Sequence, residues 1–363
     1  MFKHFKGSII FTVVALALAG LNGYAQTATL AAVGSAVLIA MILGVMETSL
    51  SLDNAVVNAT VLKDMDEKWV HRFLTWGIAI AVFGMRIVFP LVIVAVAAWV
   101  TPWEALRIAL FDHQRYEDIV VGAHVGISGF GGAFLALVGL SFFFDEDREH
   151  LWIPLIEKPL MAFARVPYSQ YIATIGIVIG LSFMVGAEEQ KTFLIAAACG
   201  IATFFSVHML GEKLGASEDA TGKVVRSGAA AFVYLEFLDA SFSFDGVIGA
   251  FAITNDIVQI ALGLGIGAMF VRSMTVALVH GGTLNEYRYL EPGAFYAIIA
   301  LAAIMLMSIR IHTPEIVTGL VGAAFIGAAF WASVRHKRLH PEEYTEDGDN
   351  NIILPTGDVV SAR

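Results

Sequence analysis

The stretch ETSLSLDNAV, residues 47–56, returns in altered form as DASFSFDGVI at residues 239–248. Superposing Asp53 on Asp245 pairs Glu47 with Asp239, Ser49 with Ser241 and Ser51 with Ser243, while Leu50 and Leu52 become Phe242 and Phe244. Each copy sits in or at the end of a long apolar run. A charged side chain at bilayer depth costs roughly 2.5–3.5 kcal/mol on insertion scales, so acids held there point to function. Two copies of such a motif point to one site built from two halves.

The surrounding composition agrees. The chain is 58% hydrophobic and 15% charged, with a mean hydropathy of +0.75, and its apolar residues form runs of bilayer-crossing length. A backbone in lipid must satisfy its own hydrogen bonds, so the runs are expected to be helices. The fold class is therefore all-α, a polytopic membrane helix bundle. Ten spans are expected, at 8–25, 29–51, 70–99, 120–144, 168–186, 191–211, 228–253, 257–279, 294–310 and 315–334. The first has a basic start (Lys3, Lys6) and a small-residue end (Gly23, Ala25), which fits a signal anchor at 1–28 or a cleaved leader; a retained helix is the reading adopted. Residues 29–334 then form the transmembrane domain, with repeat halves at 29–144 and 228–334. The polar stretch 335–363 (PEEYTEDGDNN within it) reads as a disordered cytoplasmic tail.

Orientation follows from the basic residues. With both termini inside, the outer connections hold only Arg107, Arg115, Lys191 and Arg310. Every other Lys and Arg falls on the inner side or in the tail, except Arg86 and Arg272. The two motif segments are then the second and seventh spans and cross in opposite directions, the pattern of an inverted-topology repeat with a midplane site. The span after each motif carries one of the two exceptions, Arg86 in FGMRIVFP and Arg272 in MFVRSMTV. An arginine within a span must face the interior and find a partner, and the motif carboxylates are the nearest candidates.

On one helix Glu47, Ser51, Asn54 and Asn58 form a continuous polar stripe, with Ser49 and Asp53 in a second line beside it. Glu236, Asp239 and Ser243 share a face in the second copy, with Ser241 and Asp245 alongside. Glu47 and Asp53 lie about 240° apart on a regular helix, so both reach one ion only at different heights or across a local break. Asn54 and Gly246, directly after the aspartates, are the expected break points. Carboxylate, amide and hydroxyl oxygens suit a hard divalent cation such as Mn2+, Mg2+ or Ca2+. The glycine pairs Gly176/Gly180 and Gly263/Gly267 read as close helix packing. The lone Cys199 excludes an intramolecular disulfide, and the net charge of -10 does not suggest nucleic-acid binding.

The first motif, Glu47 through Asp53-Asn54-Ala55, and the second, Phe244-Asp245 followed by AFAIT at 250–254, resemble the TerC integral membrane family. That family is named for tellurium resistance, includes manganese exporters, and belongs with the lysine-exporter superfamily of inverted-repeat transporters. The resemblance spans roughly residues 30–335 and implies that Glu47, Asp53, Asn54, Asp239 and Asp245 bind metal, with Ser49, Ser51, Glu236, Ser241, Ser243, Arg86 and Arg272 in support. Where the family has Asp-Ser-Ile-Pro, this chain has Asp245-Gly246-Val247-Ile248 and resembles a divergent branch. The expected function is secondary export of a divalent cation, Mn2+ first, across a bacterial cytoplasmic membrane. The ion is substrate, the bilayer the other partner, and no enzymatic activity or P-loop is expected. Export of an amino acid or other small solute, and a non-transporting role in tellurite or stress resistance, stay open as alternatives. An intramembrane aspartyl protease is disfavoured, because both aspartates lack the expected Tyr-Asp and Gly-x-Gly-Asp contexts.

Overall fold

A computed structural model describes residues 2–63, 65–146, 148, 150–213, 228–251, 253–281, 283–310 and 313–340. It also describes short segments at 217–218, 224–225, 346–347, 351–353 and 359–361. The side chains of Phe244 and Asp245, within a described helix, lie outside that set.

The chain runs through α1 (Phe2–Thr27), α2 (Leu30–Leu50), α3 (Leu52–Leu62) and α4 (Glu67–Ala79). A π-helical stretch, Ile80–Val88, continues directly into α5 (Phe89–Ala97), followed by the short α6 (Pro102–Phe111) and α7 (His113–Gly122). Next come α8 (His124–Phe143), α9 (Pro154–Phe163), α10 (Ser169–Ser182) and α11 (Ala187–Lys213). The second half holds α12 (Gly228–Phe251), α13 (Ile257–His280), α14 (Thr283–Glu286), α15 (Leu290–Ser308) and α16 (Glu315–Leu339). Short β pairings join 217–218 to 224–225 and link 346–347, 351–353 and 359–361 in the polar tail, while the last helix extends to Leu339, past the expected boundary at 334.

Among the described residues eight helices are long and apolar enough to cross a membrane. The other two expected spans correspond to the 14-residue apolar α10 and to α12, which is long enough but carries the second set of acids. The protein is a polytopic helical membrane bundle.

Two features of the packing position the site. The core helix α8 is buried along most of its length, and α11 and α15 come in close through its glycines. A Cβ on Gly132 would meet Leu306 at 2.6 Å, and one on Gly129 would meet Phe193 at 2.9 Å. Small residues at helix contacts substitute for the hydrophobic drive that lipid does not supply. The other feature is α13, which touches α1, α2, α3, the π stretch and α12. Its Gly263/Gly267 pair faces α2 as expected, Gly263 against Leu43 and Gly267 against Glu47. Gly176/Gly180 departs from expectation: both face open space, so that pair packs no helix.

The N-terminal helix α1 lies along α2 and α13 and is tied to α13 by polar contacts. The fully buried Ser8 donates to the Met269 carbonyl (2.6 Å) and meets Ser273 Oγ (2.6 Å), and Ser273 donates to His4 O (2.9 Å). At the other end Asn22 and Gln26 both donate to Asp256, whose second oxygen caps α13.

A candidate ion site around enclosed carboxylates and two arginines

The first motif helix is interrupted, at Ser51 rather than at Asn54. Ser51 takes φ −103° and ψ 21°, between α2 and α3, while its N–H still donates to the Glu47 carbonyl at 3.0 Å. The second motif helix, α12, runs unbroken through Gly246, so the expected break there is absent. Gly246 has another use. A Cβ at that position would stand 2.6 Å from Glu47 Oε2, and one on Gly267 would overlap the Glu47 stem. Glycines on α12 and α13 thus form the slot that admits the Glu47 side chain.

Glu47 is 2% exposed and pairs with Arg86, itself 7% exposed, through Oε1 and Nη2; Ser51 Oγ also donates to Oε1 at 3.3 Å. The Arg86 Nη1 donates to the Ala81 carbonyl at 2.7 Å. Arg86 lies in the π stretch, and the local sequence accounts for the wider turn. Pro90 has no N–H to give the Arg86 carbonyl, and its ring would clash with that carbonyl in a regular helix. The ladder instead takes an i→i−5 bond, Phe89 N–H to Gly84 O, the bulge geometry often found at functional sites.

The second half places acids near an arginine without an ion pair between them among the described residues. Asp239 accepts from Asn58 Nδ2 at 3.0 Å and lies within electrostatic reach of Arg86, Arg272 and Glu47. Glu236 lies close to Asp239 and Arg272, against Gly77. The Arg272 guanidinium sits 5.7 Å from the Phe73 ring centre. The Glu236 carboxylate oxygens, Arg272 Nη2 and Asn58 Oδ1 are buried without a hydrogen-bond partner among the described residues. Such orphaned polar atoms are rare in a packed interior and call for an explanation.

Two cavities, each of about 30 Å3, occupy the space between these groups. One is lined by Arg86, Asp239, Arg272, Asn58 and Ser243, among others. The second is lined by Glu47, Asp53, Gly246 and, from α16, Thr318 and Gly319. Ser51 and Asn54 line both, so the helix interruption forms their common wall. Asp53 is 5% exposed; its Oδ1 accepts from the Asn54 N–H (3.1 Å), and no ion pair joins it to a cation among the described residues. Its carboxylate is laid against Gly322 of α16, where a Cβ would stand 3.0 Å from Oδ2.

The structure therefore gathers Glu47, Ser51, Asp53, Asn54, Asp239, Ser243, Arg86 and Arg272 around two adjoining cavities, with Glu236 beside them. Two expected supporters stand elsewhere. Ser49 is exposed on the outer face of α2 and bonds its own helix at Val45 O (2.8 Å). Ser241 donates to Phe237 O (2.9 Å) and faces Gly131 on α8. The Asp245 side chain lies outside the described residues, so its expected approach to Asp53 does too. Among the described residues no three acidic, histidine or cysteine side chains converge closely enough to hold a metal together. The sequence marked a span at 315–334 but pointed to no site residue on α16. The TGLVG run at 318–322, a small-residue pair in a span, was the available signal.

The chain belongs to the family described as a protein of unknown function, DUF475, whose model matches residues 52–340. The match begins inside the first motif, so α1, α2 and Glu47 precede it. No curated protein and no solved structure matches the chain.

Proposed function

From the geometry above, we propose that this membrane protein is a secondary transporter of a divalent metal cation, Mn2+ before Mg2+ or Ca2+, exporting it from the bacterial cytoplasm. One observation carries the reading: more buried acid than buried base surrounds two ion-sized cavities. Glu47, Asp53, Glu236 and Asp239 lie in or beside the two cavities against two bases, Arg86 and Arg272, a surplus of two carboxylates among the described residues. Unpaired charge in a bundle interior costs several kcal/mol per ion, so a surplus of two negative charges favours an incoming dication. The oxygens on offer are carboxylate, amide and hydroxyl, the donors hard cations prefer. The two half-motifs meeting at a helix interruption are the usual setting for alternating access between inverted repeats, and the motif likeness to TerC exporters points the same way.

Each cavity of about 30 Å3 has room for a small ion and a water beside it. The test is Mn2+ flux in proteoliposomes loaded with the purified chain, with Mg2+ and Ca2+ as competitors. Flux that is lost in Asp53→Asn and Asp239→Asn supports the reading. Metal-independent behaviour identical to empty vesicles sinks it and leaves a non-transporting role.

A further inference from the structure

The Glu47–Arg86 pair stands across the boundary between the two cavities. Glu47 lines the cavity that contains Asp53, and Arg86 lines the one that contains Asp239. In this arrangement Glu47 is spoken for, while the Asp53 carboxylate has no ion pair among the described residues. A dication beside Asp53 needs a second carboxylate, and among the described residues Glu47 is the other acid lining that cavity. Arg86 must then find another anion, since a buried guanidinium stripped of its partner is strongly unfavourable. Asp239 lines the same cavity as Arg86 and lies within its electrostatic reach. Arg272 does not need Asp239, because Glu236 is beside it with both oxygens free of hydrogen bonds among the described residues.

We propose that Arg86 is a tethered counter-cation that exchanges Glu47 for Asp239 when a divalent cation enters the cavity beside Asp53. The inference rests on the transport reading above and deepens it. Among the described residues the charges balance in the exchanged state: the dication with Glu47 and Asp53, Arg86 with Asp239, Arg272 with Glu236. Asn58 connects the two ends, because its Nδ2 holds Asp239 in the present arrangement while its Oδ1 has no partner among the described residues. Arg86 turning to Asp239 competes with that Asn58 bond. Arginine and ion thereby alternate on one carboxylate, and returning Arg86 to Glu47 expels the ion.

The test is Mn2+ binding to the purified full-length chain in nanodiscs, read as loss of the free-ion paramagnetic resonance signal. Removing a competitor from Glu47 tightens binding, so Arg86→Gln is expected to bind Mn2+ more tightly, within the range of about 5–150-fold typical of coupling between sites. Asp239→Asn takes away the place to which Arg86 retreats and is expected to weaken binding by a similar factor. In the double variant the Asp239→Asn effect vanishes, because it acts only through Arg86. If Arg86→Gln is not recovered folded, Arg86→Lys takes its place: a flexible point charge grips a carboxylate less firmly than a guanidinium fork, and binding tightens in the same direction. Wild-type binding with unchanged affinity in the arginine variants overturns the exchange alone. An Asp239→Asn loss that persists in the double variant also overturns it, by making Asp239 a direct ligand. Wild-type protein that takes up none of the added Mn2+ overturns the transport reading and the exchange with it.

Discussion

Asp53→Asn and Glu47→Gln remove the same charge by the same isosteric change, yet their environments predict opposite costs. Glu47 is 2% exposed and bound to an arginine that is 7% exposed. Its amide replacement leaves the Arg86 guanidinium buried against a neutral group. Breaking a buried pair from one side costs about 3–5 kcal/mol. Ser51 also loses its charged acceptor, which adds about 1 kcal/mol at most, because that bond is long at 3.3 Å. Asp53 has no ion pair among the described residues and one backbone donor, so Asp53→Asn strands no cation and removes a charge that burial disfavours. Its expected effect is between neutral and a gain of about 1 kcal/mol, once the lost charge-assisted bond from Asn54 is set against the relief of desolvation. Thermal unfolding in detergent, followed by helical circular dichroism, separates the two. The expected order is Asp53→Asn at or above wild type and Glu47→Gln several degrees below it. Mn2+ flux is abolished in both. If Asp53→Asn unfolds as readily as Glu47→Gln, Asp53 has a structural cation partner and the charge surplus behind the proposed function disappears.

Other outcomes test the surrounding architecture. Gly322→Ala places a methyl 3.0 Å from Asp53 Oδ2 and should reduce Mn2+ flux at least tenfold for a stability cost of about 1–3 kcal/mol, with undiminished flux counting against α16 as a wall of the site. Gly267→Ala drives a methyl into the Glu47 stem and should sharply reduce the yield of folded protein, whereas Gly176→Ala, facing open space, should leave yield and melting unchanged; equal effects would refute the assigned packing. Glu157→Gln strands Arg148 in a second buried pair, remote from both cavities, and is expected to lower stability by about 3–5 kcal/mol while the folded fraction keeps wild-type Mn2+ affinity. A shifted affinity there would show that the two charge networks are coupled.

The membrane class, the positions of the spans and the identity of the costly residues were legible in the chain itself. Hydropathy is a sum over neighbouring residues, and an acid or arginine inside a long apolar run is conspicuous wherever the run is placed in space. That Glu47 meets the arginine of the following span could be anticipated from scarcity alone, since Arg86 and Arg272 are the cations near the middle of the expected spans. What each side chain faces is another matter. Rotation about a helix axis changes by 100° per residue, so a one-residue irregularity reorders every contact beyond it. Neither the interruption at Ser51 nor the π stretch ahead of Pro90 is a property of the motif, and together they decide that Glu47 meets Arg86 while Asp53 turns to α16. Ser49 and Ser241 share the motif's spacing with their neighbours yet point away, because the faces they occupy turn to the outside and to α8. Glycine is the residue whose role was least visible. Gly176 and Gly267 read alike in the sequence, and only the presence or absence of a neighbouring helix makes one the seat of a carboxylate and leaves the other facing open space.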